Sequence, residues 1–579
     1  MAQPRTAAAT RTAMPDMMNL CATCFRPLSP ATLIVAASIS QSPSRKRAAS
    51  AHPLPRAKGR QIIRMTTTRF GSRWAMMLAM LGMAVGTGNI WRFPRIAAKN
   101  GGGEFLVAWI AFLLLWSVPL ILLELGLGRK TRSGPIRSFV ALAGPRWAWS
   151  GAFVVCVASA IMCYYSVVAG WTLRYAVAAF GGELLGNAPG AFWEGFTSSA
   201  LPVATHGVML GLAAIVVARG VGAIERVAKV LMPTLIVLVA ILVVRALLLP
   251  GAAEGMGYLF SVDWGALTNA RIWIEALTQN AWDTGAGWGL VLCYAAYQRE
   301  REDTALNAFL LPAGNNLISL LAGIMVFCTV FSAVPPLLER GATDPSLLRG
   351  LGGLEQAARE GEPFSAELMQ TTVFAEGNTG ITFIWMPELF GMIPGGQVLM
   401  ALFFAALAVA AFTSLISMVE VAARAFQDAG FRRERAIWWI AGVGFLLGVP
   451  SALHMGVFDN QDWVWSVSLM LSGLFYALAV SRYGAAKFRR ETINHEHSDI
   501  RVGRWWDVVI RVLVPIEAAG LAIWLLYQAW RDDPGGWMRP FGPGAVFSVG
   551  TVLLQVGILV VILAVCNRRL AATAAGGSR

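Results

Sequence analysis

Charged residues are scarce in this sequence, and its cysteines and histidines form no array. Charged residues make up 14% of the 579 positions, whereas soluble domains have about 25%. Of the seven cysteines, Cys21 and Cys24 have CxxC spacing without a second pair, and the others lie in apolar segments. None of the five histidines has a matching nucleophile or metal-ligand spacing. The sequence therefore argues against a soluble protein, a disulfide framework, a metal centre and an enzyme.

Long apolar runs are abundant instead. Hydrophobic residues make up 56% of the chain, and the mean hydropathy is +0.58. A helix needs about 20 apolar residues to cross about 30 Å of hydrocarbon, and such runs recur along the sequence. We predict an all-α polytopic membrane protein with twelve transmembrane helices. Their approximate ranges are 75–98, 104–128, 150–181, 205–219, 226–249, 272–297, 306–336, 395–427, 436–454, 463–482, 506–529 and 546–567.

Basic residues are concentrated at the N-terminus and in alternate loops. Residues 1–64 contain ten Lys or Arg and one acidic residue, Asp16, which is typical of a disordered cytoplasmic tail. An alternative is that translation begins at Met65. The loops after the second, fourth, eighth and tenth spans are basic, whereas 182–204 contains no Lys or Arg. Because cytoplasmic loops are enriched in basic residues, we expect both termini in the cytoplasm and the protein in a bacterial inner (plasma) membrane.

Two predicted spans are interrupted by glycine-rich segments. The first contains Ala-Val-Gly-Thr-Gly-Asn-Ile-Trp-Arg-Phe-Pro at 84–94, and the sixth contains Asp-Thr-Gly-Ala-Gly-Trp-Gly at 283–289. Lipid cannot satisfy the freed backbone groups, so such segments line cavities or bind ions. Broken helices five spans apart predict a five-plus-five inverted repeat with a binding site at the midplane. The alternative is that the glycines only permit close helix packing.

Polar side chains inside the predicted spans also need partners or a role. The residues concerned are Glu124, Gln279, Asp283, Asn315, Thr413, Ser414 and Glu420.

The inverted repeat suggests a division of the chain into domains. The expected parts are the tail 1–64, a first repeat 65–255, a second repeat 256–484 with an outer lid loop 337–394, two further helices 485–570, and a cytoplasmic tail 571–579.

Several motifs resemble those of one known family. They are AVGTGNIWRFP (84–94), NGGGEF (100–105), PLILLELGLGR (119–129), YYSVVAGW (164–171), IERVAKVLMP (224–233) and AAFTSLISMVE (410–420). The chain resembles the neurotransmitter:sodium symporter family, in particular its bacterial leucine-transporter-like branch, over about residues 66–570. The resemblance implies the leucine-transporter-like fold and sodium-coupled transport by alternating access.

The resemblance implies up to two sodium ions and no organic cofactor. One ion would be held by carbonyl and hydroxyl oxygens, without a carboxylate, which suits a weakly bound monovalent cation. The other would be completed by the substrate carboxylate, and here Asp283 replaces the usual Thr or Ser. The matching positions are Gly82, Val85, Ala410, Thr413 and Ser414 for the first ion, and Ala84, Asn89, Asp283 and Asn315 for the second.

The family's chloride site maps onto residues that have changed. The matching positions are Trp109, Gln279, Asp283, Asn315 and Ser319. A tryptophan replaces the usual tyrosine, and the carboxylate of Asp283 replaces a hydroxyl. Because a fixed negative charge repels a nearby anion, we expect a vestigial anion site and chloride-independent transport. Asp283 would act as a sodium ligand or counter-charge, or would protonate on the return step and export a proton.

The resemblance also implies a substrate class. Amine-carrying relatives have an aspartate where this chain has Gly86, so the favoured substrate is a small amino acid that brings its own carboxylate. Asp283 weakens this inference, because it could replace that carboxylate. The matching substrate-binding positions are Ala84, Gly86, Gly88, Ile161, Tyr165, Trp282, Gly285, Trp288, Ser414 and Met418.

Alternating access needs a gate on each side. The outer gate would pair Arg92 with Asp462, and Asp459 is the alternative partner. The inner gate would join Asp428 and Tyr297 to Arg69 or Arg64, because Thr67 occupies the usual arginine position. Each of these charges could instead form a solvated surface pair that contributes about 0–1 kcal/mol.

These expectations favour a sodium symporter for a small amino acid or an amino-acid-like solute. The alternatives are a carrier of another solute, or a sodium-binding channel or sensor on the same scaffold. The expected partners are the small-molecule substrate and the lipid bilayer, with no nucleic acid, and the sequence leaves the oligomeric state open.

Overall fold

The computed structural model describes residues 69–185, 189–348, 351–375, 377–542 and 544–576. Within these ranges the regular structure is helical, and no β-strand is present. The predictions for residues 1–64, for a start at Met65, and for Arg64 and Thr67 lie outside the described residues.

Twelve spans are present in the described ranges, as predicted. Ten continuous helices are long and apolar enough to cross a membrane, and two helices that meet at 55° form the broken first span. The broken sixth span completes the twelve. The spans are α1 (Arg73–Ala84 and Gly88–Lys99), α2 (Gly103–Thr131), α3 (Ala148–Gly181), α4 (Leu201–Ala218), α5 (Val221–Leu247), α6 (Ala270–Asp283 and Leu290–Ala295), α7 (Thr304–Thr343), α8 (Gly396–Asp428), α9 (Arg433–Leu453), α10 (Met455–Tyr483), α11 (Trp505–Asp532) and α12 (Val549–Gly576).

The last two spans differ in detail from the expected boundaries. α12 continues to Gly576, so residues 571–576 of the expected tail are helical. α11 contains a π-helical turn at Val509–Leu513 directly before Pro515. A π-turn beside a proline is a common way to continue a membrane helix past the missing N–H.

The tenth span begins earlier than its hydropathy suggests. α10 starts at Met455, although the residues that follow include several polar ones. Asn460 Nδ2 donates to Val546 O at 2.8 Å, and Gln461 Nε2 donates to Gln555 Oε1 of α12 at 3.2 Å. Because neighbouring segments satisfy these side chains, the polar residues extend the helix instead of ending it.

The helix packing brings both breaks to the centre of the bundle. α8 packs most extensively along α3, the span five positions earlier. The first half of α1 packs against α5, α7 and α8, and its second half contacts α6 and α7. The interrupted segments of α1 and α6 are therefore enclosed by protein, which is the condition for irregular backbone within a membrane.

The break in α6 is built from left-handed glycines and one buried carboxylate. Gly285, Gly287 and Gly289 have φ angles of 74°, 87° and 78°, which residues with a Cβ rarely adopt. Glu124 of α2 is fully buried and accepts hydrogen bonds from Gly287 N at 2.7 Å and Leu292 N at 3.0 Å. The carboxylate thus replaces backbone acceptors that the break removes.

The segment after α7, the expected lid, contacts α3 through aromatic rings. Phe383 is fully buried. Its ring stacks on Trp193 with centroids 5.0 Å apart and lies 4.7 Å from the ring of Tyr175 in α3. The helices of this segment are Gly352–Glu360, Ala366–Thr371, Gly377–Gly380, Ile381–Trp385 and Met386–Met392.

Replacing Glu124 should destabilise the folded protein. Glu124→Ala leaves two buried N–H groups without an acceptor, each at a cost of about 1–3 kcal/mol. We expect the thermal unfolding midpoint of the detergent-solubilised protein to fall by several degrees, and to fall less for Glu124→Gln, whose amide oxygen still accepts. The matched control is Glu254→Ala, at an exposed position in the helix Ala252–Phe260. Equal midpoints for Glu124→Ala and Glu254→Ala would contradict the role of Glu124.

Candidate functional site

Two side chains accept hydrogen bonds from the backbone N–H groups that are freed at the break of α1. Residues 85–87 separate the two halves. Gly86 N donates to Asn89 Oδ1 at 2.8 Å, and Thr87 N donates to Tyr165 Oη of α3 at 3.2 Å. Because these N–H groups have partners, the carbonyl oxygens of the break are left to serve as ligands.

A cavity of about 30 Å³ lies between the two breaks. This is close to the volume of one water molecule, so an amino acid could enter only if the lining side chains moved. Ile161 does not line the cavity, although it is fully buried, and Met83 and Leu290 are lining residues that the sequence did not suggest. The predicted substrate-binding residues that line it are Ala84, Gly86, Gly88, Tyr165, Trp282, Gly285, Trp288, Ser414 and Met418.

Two indole rings from the sixth span form one wall of the cavity. Trp282 and Trp288 pack edge to face, with ring centroids 5.4 Å apart. Trp282 also lies directly over Gly88, where an added Cβ would be 3.0 Å from the indole ring. The second glycine of the α1 break therefore allows the aromatic wall to approach the backbone.

A cluster of oxygen atoms lies between α1 and α8. Ser414 Oγ is 3.4 Å from Gly82 O and 3.2 Å from each of Met83 O and Val85 O. A hydroxyl has one proton to donate. The Ser414 hydroxyl can therefore donate a full hydrogen bond to only one of the three carbonyl oxygens around it. A cation at this point would satisfy them together.

The other residues expected at this cluster lie on the same turn of α8. Thr413 Oγ1 is 3.1 Å from Ala410 O and 3.1 Å from Val409 O. An added Cβ at Gly82 would be 3.3 Å from the Thr413 Cβ, which shows how closely α1 approaches α8. The structure thus places all five expected positions together, and their neutral oxygens suit a monovalent cation better than a divalent one.

Asn315 of α7 contacts both breaks. One end of its side-chain amide is 3.2 Å from Ala84 O, 3.2 Å from Asp283 O and 2.9 Å from Asn89 Nδ2. With nitrogen at this end, the amide donates to both carbonyls. With oxygen at this end, three oxygens converge as cation ligands. In either orientation, the carbonyl oxygens of Ala84 and Asp283 lie 3.2 Å from the same end of the amide.

Asp283 is buried beside this second cluster. Its Oδ2 accepts hydrogen bonds from Gln279 Nε2 at 3.2 Å and from Ser319 Oγ at 3.3 Å. Ser319 Oγ also accepts from Asn89 Nδ2 at 2.7 Å. Asp283 Oδ1 has no hydrogen-bond partner among the described residues. The carboxylate therefore has one oxygen available for a ligand.

Trp109, the remaining residue of the expected anion site, makes an aromatic contact. Its ring packs on Phe93, with centroids 4.6 Å apart. Its indole N–H has no hydrogen-bond partner within the described part of the chain. The contacts of Asp283 at this site thus come from Gln279 and Ser319.

The outer gate residues line a vestibule of about 780 Å³. Arg92 lies over the ring of Trp282, 5.4 Å from its centroid, and Asp462 accepts a hydrogen bond from Tyr164 Oη at 3.1 Å. Both residues line the vestibule, whereas Asp459 does not. The structure therefore places Arg92 and Asp462 on the same cavity with separate partners.

Two arginines that the sequence did not suggest, Arg424 and Arg433, join the residues expected at the inner gate. Tyr297 Oη donates to Glu420 Oε1 at 2.7 Å and accepts from Arg424 Nη1 at 3.1 Å. Arg433 forms an ion pair with Glu420 at 2.5 Å, and Arg424 lies 3.6 Å from Asp428. Four charged groups and one hydroxyl thus form a single network. The sequence offered one indication of these arginines. The carboxylate of Glu420 lies inside a predicted span, and such a group needs a basic partner.

The expected pairing of Arg69 with Asp428 is not found. Arg69 pairs with Glu300 at 2.7 Å, and this contact lowers the pKa of the Glu300 carboxyl. Phe70 N donates to Tyr297 O at 3.2 Å, which fixes Phe70 beside the segment that carries Glu300. Arg69 therefore meets the loop after α6, while Arg424 takes the position beside Asp428.

Comparison with known sequences decides the family. The profile described as "Sodium:neurotransmitter symporter family" matches residues 67–197 and 194–571. The chain belongs to this family. This match confirms the predicted family and the sodium-dependent transport that its members perform. The predicted leucine-transporter-like fold is confirmed as well.

Relatives and a solved structure are similar over most of this symporter. The uncharacterized sodium-dependent transporter YhdH of Bacillus subtilis is 29% identical over 472 residues, which cover 77% of this chain and 95% of the relative. The uncharacterized sodium-dependent transporter MJ1319 of Methanocaldococcus jannaschii is 28% identical over 477 residues, which cover 78% of this chain and 89% of the relative. The crystal structure of MhsT in complex with L-phenylalanine matches with a TM-score of 0.65 at 29% identity, over 79% of this chain and 99% of MhsT.

A side chain at Gly86 should block the site of this symporter. An added Cβ would lie 2.8 Å from Tyr165 Oη and 2.9 Å from Ser414 Oγ, too close for either oxygen. We expect Gly86→Ala to reduce sodium-driven uptake at least ten-fold while the protein remains folded. The matched control is Gly211→Ala in α4, where nothing lies within 4 Å of an added Cβ. Normal uptake by Gly86→Ala would contradict the close approach of α1, α3 and α8.

Proposed function

We propose that this protein is a symporter that couples the entry of a small amino acid to two sodium ions and does not need chloride. The observation that carries the proposal is the convergence of backbone and side-chain oxygens at two points beside the α1 break, one at Ser414 and one at Asn315. In a membrane protein, freed carbonyls at a broken helix are typical cation ligands.

The proposed independence from chloride rests on Asp283. Two like charges 4 Å apart repel by roughly 4 kcal/mol at an effective dielectric constant of about 20, so an ionised Asp283 disfavours an anion among Gln279, Asn315 and Ser319. The same carboxylate would offset the positive charge of a sodium ion at the second cluster. Its unpartnered Oδ1 supports a role as sodium ligand or as a group that takes up a proton on the return step.

The proposed substrate class rests on the lining of the cavity. Gly86 provides no carboxylate for an amine substrate, and the Tyr165 hydroxyl lies beside the N-terminal end of the second half of α1. That helix end carries a partial positive charge, so the two groups suit a substrate carboxylate. The complex of MhsT with L-phenylalanine also supports an amino acid.

We further propose an orientation and a gating scheme. The basic loops after α2, α4, α8 and α10 would face the cytoplasm of a bacterial cell, and both termini would lie there. The network of Tyr297 and Glu420 would form the inner gate, and Arg92 would move toward Asp462 when the outer gate closes. The breaks in α1 and α6, five spans apart, support the two five-helix repeats, 65–255 and 256–484.

Uptake by reconstituted protein tests the proposed activity. Proteoliposomes are loaded with potassium buffer, diluted into sodium buffer, and assayed with a mixture of radiolabelled amino acids. We expect concentrative uptake that stops when the sodium gradient is dissipated. Flux without accumulation would identify a channel, and sodium binding without flux would identify a sensor. Accumulation of a different solute class alone would overturn the amino acid assignment.

Removal of the Ser414 hydroxyl should weaken sodium binding. Ser414→Ala deletes the side-chain oxygen at the centre of the first cluster, and we expect about a ten-fold rise in the sodium concentration that half-saturates uptake. The matched control is Ser417→Ala, since Ser417 Oγ donates to its own helix at Ser414 O, 2.6 Å away. The assignment of this cluster fails if both variants keep the sodium dependence of the unmodified protein.

Replacement of Asp283 should create a need for chloride. We expect the unmodified protein to transport equally well in chloride and gluconate at saturating sodium. Asp283→Ser should be at least five-fold slower in gluconate than in chloride, because an anion then has to supply the lost negative charge. Uptake by the unmodified protein that falls sharply in gluconate would contradict the proposal.

A further inference from the structure

A groove on the outer surface of the bundle lies where α4, α5 and α8 meet. It has a volume of about 410 Å³, and several of its lining residues are exposed. We refer to it as the α4–α5 groove. Its apolar lining residues are Val216, Ala223, Val227, Val230, Leu231 and Phe412.

Two arginines stand at one end of the α4–α5 groove. Arg219 follows the last residue of α4, Arg226 lies in the second turn of α5, and both are exposed. Glu225, the adjacent acid, accepts from Gly71 N at 2.7 Å and pairs with Lys229 at 2.6 Å. Neither arginine has an acidic partner within 4.0 Å among the described residues. The positive charge at this end of the groove is thus uncompensated.

The groove extends over part of the depth of one leaflet. From Ala223 to Leu231, the lining residues of α5 span about 12 Å at 1.5 Å per residue, compared with about 15 Å for half of the hydrocarbon core. Val230 is 64% exposed, so the groove opens toward lipid. Its length fits the part of an acyl chain that lies next to the headgroup region.

We infer that the α4–α5 groove binds one anionic phospholipid from the leaflet on the basic side of the bundle. The acyl chain lies along the apolar residues, and the phosphate lies between Arg219 and Arg226. Guanidinium groups form bidentate hydrogen bonds with phosphate oxygens, and basic pockets between membrane helices select anionic headgroups. A zwitterionic lipid carries its own cation beside the phosphate, which reduces its attraction to the two arginines.

Native mass spectrometry of the purified full chain tests this site. The protein is titrated with dioleoyl phosphatidylglycerol or with dioleoyl phosphatidylcholine, and the occupancy of the first bound lipid is measured. We expect phosphatidylglycerol to bind at least ten-fold more tightly, and the Arg219→Gln/Arg226→Gln double variant to lose about thirty-fold in affinity for it. The matched control is Arg432→Gln/Arg435→Gln, at two exposed arginines beside α9 that do not line the groove.

A second pair of variants tests the acyl chain. Val230→Trp fills the groove from its exposed side and should weaken the binding of the first phosphatidylglycerol. Val237→Trp, two turns further along α5 and 56% exposed, should not. Glycerol 3-phosphate, which has the phosphate without acyl chains, should not compete. The inference is overturned if the two lipids bind equally, if each control variant weakens binding as much as its test variant, or if glycerol 3-phosphate displaces the lipid.

Discussion

A backbone N–H or C=O without a partner costs several kcal/mol in hydrocarbon, and α1 and α6 each contain such groups near the middle of the bundle. In α6, Glu124 accepts from two of the freed N–H groups. At the break of α1, the side chains of Asn89 and Tyr165 accept hydrogen bonds from the freed N–H groups. The remaining carbonyl oxygens converge on Ser414 and Asn315. The arrangement of the binding site follows from this distribution of donors and acceptors.

The same constraint relates the proposed ion sites to the proposed substrate cavity. Gly86 donates its N–H to Asn89, contacts Tyr165 and Ser414, and lines the cavity. A change at this residue therefore affects the substrate pocket and both oxygen clusters together. Such sharing of groups provides a physical basis for coupling, because binding at one cluster orders the groups that form the next. Asp283 adds a charge to the second cluster, and its protonation would alter that coupling.

Long apolar runs predicted the twelve helices, and glycine-rich interruptions within them predicted the two breaks. Most of the residues that line the cavity were predicted from the resemblance to the family. It did not predict contacts that depend on how loops and helix ends are placed. Arg69 forms an ion pair with Glu300 because the backbone N–H of Phe70 is hydrogen-bonded to Tyr297 O. Ile161 lies one turn from Tyr165 on α3, but the cavity ends at Tyr165. The early start of α10 depends on partners in α12, which hydropathy does not record.

Direct binding of radioactive sodium to the purified protein tests the central claim most closely, because it requires neither a known substrate nor transport. Scintillation proximity measurements should show saturable binding that excess unlabelled sodium abolishes and potassium does not. The Asn315→Ala/Ser414→Ala double variant, which loses the side-chain oxygen of each cluster, should show no saturable binding. Equal sodium binding by this variant and the unmodified protein would contradict the claim that the broken first helix forms the cation sites.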